Sequence, residues 1–214
     1  MLSDISIRIF PYGLVQANMY VVAFGKEAFI VDPCVSWDAC ECEELEVKAI
    51  LCTHGHFDHI SEAESLISRF HCPIYITPQD SEMLSSAKLN HSLNFGLKIE
   101  TQAEPELFQK AVYSALDLGF SSDCFEISVI PTPGHTSGSV CFLLTCRQNP
   151  DEKYMFTGDM LFAGSVGRTD LGGSFSEMQN SIEVLKQMDD SIVCFPGHGD
   201  RTILGQEKKY NPFF

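Results

Sequence analysis

Short runs of apolar and β-branched residues recur along the chain, and each is bounded by glycine, proline or polar residues. Runs of this length and composition predict β-strands. Gly25 and Lys26 lie between the second and third runs and predict a hairpin turn there. The nine predicted strands cover residues 6–10, 19–24, 27–32, 47–53, 74–77, 125–130, 139–145, 153–158 and 191–196.

Two segments instead have the spacing of an amphipathic helix. Apolar residues fall on one helical face from His59 to Phe70, and again from Phe175 to Met188. Ser174 and Glu177, at the start of the second segment, match a capping box. The segment 86–123 has the weakest pattern, and we expect loops there with a helix near 106–116. Strands and helices mix without strict alternation, which predicts an α+β layered domain with mixed sheets.

Composition and charge limit the classes of function. The 214 residues suit one domain over positions 1–214, and a hydrophobic fraction of 44 % can fill its core. The formal charge of −15 disfavours nucleic acid and anionic membranes as partners, because an acidic surface repels both. The sequence leaves the oligomeric state open.

The cysteines and the first residues predict the compartment. Residues 1–13 have no basic start followed by an apolar run, and no window approaches the roughly 20 apolar residues of a membrane span. The nine cysteines are odd in number and scattered, and several fall in apolar runs. Such cysteines are typical of small core residues, so we expect a protein of the reducing cytoplasm.

Candidate chemistry is concentrated where four of the predicted strands end. The run 47–53 is followed by His54, and later runs are followed by His135, Asp159 and His198. With His56 and His59, five of the seven histidines lie at these four points. Loops that a rigid sheet holds at strand ends are where functional side chains concentrate. The sequence therefore predicts a metal or catalytic site there.

The stretch HGHFDH, residues 54–59, indicates how the metals could be bound. His54 and His56 could share one metal, while Asp58 and His59 could face a second one. Imidazole with carboxylate suits Zn²⁺, Fe or Mn better than Ca²⁺. Seven ligands exceed the need of one tetrahedral zinc, whereas two metals joined by a carboxylate could use them all. A metal pair can hold a hydroxide and make it reactive at neutral pH.

Four ordered stretches resemble the motifs of the metallo-β-lactamase superfamily: THGHFDH, TPGHTSGS, FTGDMLF and FPGHG. The resemblance covers nearly the whole chain. It implies a four-layer αβ/βα sandwich with two metals, most simply zinc, at one edge of two mixed sheets. It also implies the ligand sets: one metal takes His54, His56 and His135, the other takes Asp58, His59 and His198, and Asp159 bridges the two.

The stretches GDMLFAGSVGRTDLGGS and PGHGDRTILGQEKKYNPFF resemble the short, single-domain branch of the glyoxalase II-like hydrolases. This resemblance implies hydrolysis of thioesters such as S-lactoylglutathione by a metal-bridging hydroxide, with Asp58 and Asp159 as the catalytic carboxylates. Arg168 matches the place of a basic residue that contacts glutathione. Only 16 residues follow His198, so we expect no C-terminal helical glutathione-binding domain.

Other readings stay open at this point. The set His54, His135 and Asp159 is also what a one-iron persulfide dioxygenase would need, and that family shares the GRTD stretch. A metal-binding scaffold without turnover is a further alternative. Arg168 could instead pair with Asp170 in a structural role, and His91 could either reach the site or lie at the surface.

Overall fold

The computed structural model describes residues 5–108 and 125–214, which belong to two compact units. In the first unit, residues 5–108, the strands are β1 (Ile5–Tyr12), β2 (Ala17–Phe24), β3 (Glu27–Val31), β4 (Glu46–Leu51), β5 (Ile74–Ile76) and β6 (Glu106–Leu107). Its helices are α1 (Phe57–Ile60), α2 (Ala63–Phe70) and α3 (Ser81–Leu84), with short 3₁₀ turns at Trp37–Ala39 and Ser92–Phe95.

The six strands of the first unit form one mixed sheet in the order β1-β2-β3-β4-β5-β6. The pairs β1–β2 and β2–β3 are antiparallel hairpins, while β3–β4, β4–β5 and β5–β6 are parallel. Phe24 pairs with Glu27 across Gly25 and Lys26, as the sequence predicted. A parallel neighbour needs a crossover connection, and α1 and α2 supply it between β4 and β5.

The helix predicted from His59 to Phe70 is interrupted at Ser61 and Glu62, so α1 and α2 are separate. The Glu62 N–H donates to the Pro33 carbonyl at 2.9 Å, and the Ser61 hydroxyl donates to the Cys34 carbonyl at 3.2 Å. These contacts with the loop after β3 replace the intrahelical bond. The sequence pattern could not show them, because they join residues far apart along the chain.

In the second unit, residues 125–214, the strands are β7 (Phe125–Pro131), β8 (Val140–Cys146), β9 (Lys153–Gly158), β10 (Leu161–Phe162), β11 (Ser165–Val166), β12 (Val193–Pro196) and β13 (Thr202–Ile203). The helices are α4 (Phe175–Lys186) and α5 (Leu204–Tyr210). Five strands form a sheet in the order β13-β12-β9-β8-β7, and β10 pairs with β11 as a separate hairpin. Only β9 and β12 are parallel in this unit, and α4 lies between them in sequence.

All nine predicted strands are confirmed within the described residues. The strands that the pattern missed, β6, β10, β11 and β13, have two residues each, too few to show a period. The helix expected near 106–116 is wrong at its start, where Glu106 and Leu107 pair with β5. Its remainder lies mainly outside the described residues. The single domain over 1–214 stays a prediction.

Eight cysteines lie in the described residues, and all of them are buried free thiols. Burial raises the pKa of Cys141 and of Cys34 to about 12, because a thiolate there would lose its hydration. The interpretation of the cysteines in apolar runs as small core residues is confirmed for Cys52, Cys141, Cys146 and Cys194. No helix in the part of the chain described here has the length and apolar character to cross a bilayer.

The start of α4 gives a test of the local structure. The Ser174 hydroxyl accepts from the Glu177 N–H at 3.4 Å, while the Ser174 N–H donates to the Gly134 carbonyl at 2.8 Å. The capping box is therefore only half formed, because the N–H that Glu177 would accept is already bonded elsewhere. We expect Ser174→Ala to lower the free energy of unfolding by about 1 kcal/mol. Glu177→Ala should lower it by about half as much or less, through the helix dipole alone.

Urea denaturation followed by circular dichroism measures both values. Equal losses for the two variants would contradict the half-formed box.

Candidate metal centre

The first unit gathers its donors at the end of β4 and the start of α1. His54 follows the strand after Cys52 and Thr53, and His56 is the N-cap of α1. The His54 ring lies 4.9 Å from the His56 ring and 4.3 Å from the His59 ring, measured between centroids. Asp58 Oδ2 lies 3.5 Å from His59 Nε2. The structure thus brings all four predicted donors of residues 54–59 together in this unit.

Asp32, which the sequence analysis missed, lies behind this cluster. It is buried at the end of β3 with a φ of 54°. Its Oδ1 accepts from the Thr53 N–H at 2.7 Å, and its Oδ2 accepts from the Thr53 hydroxyl at 2.8 Å. His59 Nδ1 lies 3.0 Å from the same Oδ2. Asp32 ends an apolar run just as the predicted ligands do, so the same rule would have found it.

These contacts fix which nitrogen of each ring carries a lone pair. A carboxylate can only accept, so His59 Nδ1 is protonated and its Nε2 is the basic nitrogen. Thr53 gives its single hydroxyl proton to Asp32 and therefore accepts from His54 Nδ1, which lies 3.1 Å away. His54 Nε2 is then basic as well. One buried carboxylate sets the tautomer of both histidines, as outer partners of metal ligands do.

The backbone of the histidine motif packs tightly against residues 80–90. The Gly55 N–H donates to Asp80 Oδ2 at 3.1 Å, and the Phe57 N–H donates to the Asn90 carbonyl at 3.0 Å. A Cβ at position 55 would lie only 2.5 Å from the Met83 Cβ. Glycine is therefore required between His54 and His56, because any side chain would force the motif away from this support.

The second unit gathers its donors at the ends of three strands of the five-stranded sheet. His135 follows β7, Asp159 follows β9 and His198 follows β12. Asp159 Oδ2 lies 3.4 Å from His135 Nε2 and 3.5 Å from His198 Nε2. One carboxylate oxygen therefore faces both imidazoles, and all three predicted donors of this unit are neighbours.

Close contacts between main-chain segments fix the position of this second cluster. His135 Nδ1 lies 2.7 Å from the Arg168 carbonyl oxygen, which can only accept, so His135 Nε2 is the basic nitrogen. A Cβ on Gly167 would lie 1.9 Å from the Asp159 carbonyl oxygen. Gly134 has a φ of 148°, and a Cβ there would lie 2.5 Å from the Met178 Cα. Gly134, before His135, and Gly167, before Arg168, thus let the main chain approach Met178 and Asp159 without a side chain between them.

Two further predicted residues have defined surroundings. The Arg168 side chain is exposed and donates to both Asp170 oxygens, at 2.6 and 2.5 Å. Hydrogen bonds from the guanidinium lower the pKa of Asp170 to about 2, so the pair is ionised throughout the neutral range. His91 packs in the first unit with its ring centroid 5.3 Å from that of the ligand candidate His56. His71 is exposed at the end of α2.

The family model of the metallo-β-lactamase superfamily matches residues 12–198 of the chain. The chain belongs to the metallo-β-lactamase superfamily. The α+β arrangement with mixed sheets is the metallo-β-lactamase fold, as the sequence predicted.

Relatives in this superfamily match the chain from end to end. It is 38 % identical to an uncharacterised protein of Mycobacterium bovis, over 95 % of each chain. It is 32 % identical to the hydroxyacylglutathione hydrolase GloC of Haemophilus influenzae, over 97 % of each chain. These two relatives are similar in length to the chain described here.

Two solved structures are also similar. The BLEG-1 B3 metallo-β-lactamase is 34 % identical, with a TM-score of 0.85, over 97 % of this chain and 99 % of that one. TTHA1623 in a di-iron-bound form is 31 % identical, with a TM-score of 0.75, over 97 % of this chain and all of that one. Metal binding is thus found in a relative of this fold, with iron as the bound metal.

The donor sets fit a transition-metal ion. The first unit holds three buried imidazoles with a carboxylate, and the second holds the buried His135 and the partly buried His198 with another carboxylate. This is the ligand chemistry of zinc, iron and manganese. Three of the imidazoles have Nδ1 bonded to a protein acceptor or hydroxyl, which leaves Nε2 as the coordinating atom. An ion with a preference for neutral nitrogen and anionic oxygen would find both in each unit.

Asp32→Asn tests the tautomer argument. Asparagine tolerates the positive φ and keeps the size. The Thr53 N–H can only donate, so it keeps the amide oxygen, and the NH₂ group takes the place of Oδ2 beside His59 Nδ1. His59 Nδ1 would then have to accept, which moves the ring proton to Nε2 and blocks coordination. We expect zinc affinity to fall about 10- to 100-fold, measured by competition with a chromophoric chelator.

Asp38→Asn is the matched control, since Asp38 is exposed and pairs only with Arg69 at the surface among the described contacts. Unchanged zinc affinity in the Asp32 variant would refute the assignment of this carboxylate.

Proposed function

We propose that the chain is a two-metal hydrolase of thioesters of the hydroxyacylglutathione type. In this proposal His54, His56 and His135 hold one metal, Asp58, His59 and His198 hold the other, and Asp159 is shared. The observation that carries it is the complete donor set, in motif order at the strand ends, with tautomers already suited to coordination. The 32 % identity to a hydroxyacylglutathione hydrolase supports the thioester as substrate.

Two divalent cations bound there would supply a hydroxide at neutral pH and polarise the substrate carbonyl. Asp58 is the residue at the edge of the first cluster, with a side chain that is 16 % exposed. It can therefore accept a hydrogen bond from the attacking water and orient it toward the carbonyl carbon. A thiolate is a good leaving group, so no strong general acid is needed to expel it.

Loss of a ligand should remove metal and activity together. We expect His54→Ala and Asp159→Asn to retain less than about one hundredth of the hydrolysis of S-lactoylglutathione and to lose zinc on dialysis. His71→Ala is the matched control, because it removes an exposed histidine of the same unit. Elemental analysis and a thiol-release assay measure the two quantities. Full activity with unchanged metal content in both ligand variants would overturn the proposal.

The identity of the metal separates hydrolysis from oxidation. Two zinc ions per chain agree with a hydrolase, whereas a single iron held by His54, His135 and Asp159 would agree with a persulfide dioxygenase. The di-iron form of a 31 % identical relative makes iron a realistic occupant. Oxygen uptake with glutathione persulfide, compared with thioester hydrolysis by the same preparation, decides between the two.

β-Lactam hydrolysis is the second candidate, because a relative with 34 % identity over nearly its whole length is described as a B3 β-lactamase. Both reactions add hydroxide to an acyl carbon, but a β-lactam expels an amine nitrogen, which needs a proton to leave. A chromogenic cephalosporin belongs in the same assay. Turnover of the cephalosporin faster than of any thioester would replace the proposal by this candidate.

For Arg168 we propose that the guanidinium contacts a carboxylate of the thiol carrier. Arg168→Ala should raise KM about fivefold with little change in kcat, the size expected for one exposed charge contact. Zinc content should not change, because the main-chain carbonyl that accepts from His135 is retained. Asp170→Asn is the companion variant: it removes the competing partner of the guanidinium, so KM should stay the same or fall. Loss of kcat and of zinc in Arg168→Ala would instead assign the side chain a structural role.

A further inference from the structure

Residues 89–97, here called the apolar loop, are built as a rigid element. Asn90 is fully buried, and its amide donates to the carbonyls of Met83 and Ile99 at 2.9 and 2.8 Å. Its Oδ1 accepts from the Ser92 N–H at 3.0 Å. The buried Ser92 hydroxyl donates to the Ala87 carbonyl and accepts from the Ile99 N–H. Side chains that leave this loop therefore start from a fixed backbone.

The apolar loop is attached directly to the histidine motif. The Asn90 carbonyl accepts a hydrogen bond from the N–H of Phe57, the residue after the ligand candidate His56. The Phe95 ring lies against the Phe57 ring with a centroid distance of 4.7 Å, and the His91 ring lies 5.3 Å from the His56 ring. His91 has a φ of 67°, a conformation that the fixed hydrogen bonds of its neighbours hold in place. A group bound at His56 would thus have this loop beside it.

The side chains that the apolar loop exposes are unusual for a surface. Leu89, Leu93, Phe95 and Leu97 are all more than 40 % exposed within nine positions. None of the residues between Glu82 and Glu100 is acidic, in a chain with 29 acidic residues, whereas Lys88 and Lys98 are basic. A concentration of exposed apolar side chains marks a binding surface more often than a structural one. Glu100, just beyond the loop, pairs with Lys98 at 3.2 Å, which offsets its charge. The loop itself therefore does not repel an anionic ligand.

We infer that the apolar loop is the acyl-binding wall of the site and that the substrate is a thioester with an apolar acyl group. This inference rests on the proposed function. The thioester carbonyl lies at the metals, the acyl substituent packs on Phe95 and Leu93, and the carboxylates of the thiol carrier meet the apolar loop, which has no acidic residue of its own. A lactoyl group, with one methyl, would cover little of this wall, so a larger acyl group gains more from it.

The test uses two substrates that differ only in the acyl substituent. S-Mandeloylglutathione and S-lactoylglutathione share the thiol and the α-hydroxyl, but one carries a phenyl group where the other carries a methyl group. We expect the zinc-loaded enzyme to have at least about tenfold higher kcat/KM for the mandeloyl thioester, the range expected for filling an apolar pocket. Phe95→Ala should lower that preference, the ratio of the two kcat/KM values, to about twofold or less.

Phe213→Ala is the matched control. Phe213 is 48 % exposed and Phe95 is 49 % exposed, so both substitutions remove the same side chain at the same degree of burial. The Phe213 variant should keep the mandeloyl preference of the unmodified enzyme. Because Phe95 is half exposed, its truncation should leave thermal unfolding nearly unchanged, which circular dichroism confirms for both variants.

A binding measurement gives a readout that does not depend on turnover. S-Benzylglutathione and S-methylglutathione are thioethers that cannot be hydrolysed, and calorimetry of the zinc-loaded protein gives their Kd values. We expect about tenfold tighter binding of the benzyl compound, lost in Phe95→Ala and kept in Phe213→Ala. Equal Kd values for the two thioethers, or a benzyl preference that Phe95→Ala leaves intact, would overturn the inference.

The outcomes also separate this inference from the proposed function. Hydrolysis of both thioesters at equal rates, with no effect of Phe95→Ala, would reject the acyl-binding wall and leave the hydrolase intact. Hydrolysis of neither thioester, with zinc bound, would reject the proposed function itself. Since the wall is defined for a thioester substrate, that result would overturn the inference as well.

Discussion

The buried carboxylate of Asp32 is the group on which the first donor cluster depends. A histidine can bind a cation only through a nitrogen that carries a lone pair, and a free imidazole can place its proton on either nitrogen. Asp32 removes that choice for two rings, directly at His59 and through the hydroxyl of Thr53 at His54. In the second unit the Arg168 carbonyl acts in the same way on His135. The donors are thus prepared by acceptors that lie on the Nδ1 side of each ring.

Preparing the donors in this way requires the main chain to come unusually close to the histidines. Gly55, between His54 and His56, and Gly167, before Arg168, serve this purpose. Gly55 lies against Met83, and Gly167 lies against the carbonyl of Asp159, at distances that no side chain would permit. A strand can only deliver a ligand at its end, whereas the orientation of that ligand is set by the loop that follows. The glycines let these loops pack on one another, so the precision of each cluster comes from backbone contacts.

Sequence alone predicts the elements and the donors, but not the contacts that orient them. The strands could be predicted because each is a local apolar run, and the candidate donors could be chosen because they follow such runs. The break between α1 and α2 depends on the Pro33 carbonyl, and the role of Asp32 depends on Thr53 and His59, all distant in sequence. The two-residue strands exist only as partners of other strands. Features that arise from long-range hydrogen bonds cannot be predicted from the local sequence pattern.

The structure of the segment 86–99 could not be predicted from its sequence either. Its sequence has neither the period of a helix nor that of a strand, because its order comes from Asn90 and Ser92 bonding to backbone groups around them. Side chains released from the task of packing a core are available for a ligand, and here four large apolar ones are exposed. Keeping these side chains in water is unfavourable, because the fold forgoes the free energy that their burial would provide. A rigid loop that keeps such side chains in water beside a metal-binding motif is therefore best explained by a ligand that covers them during function.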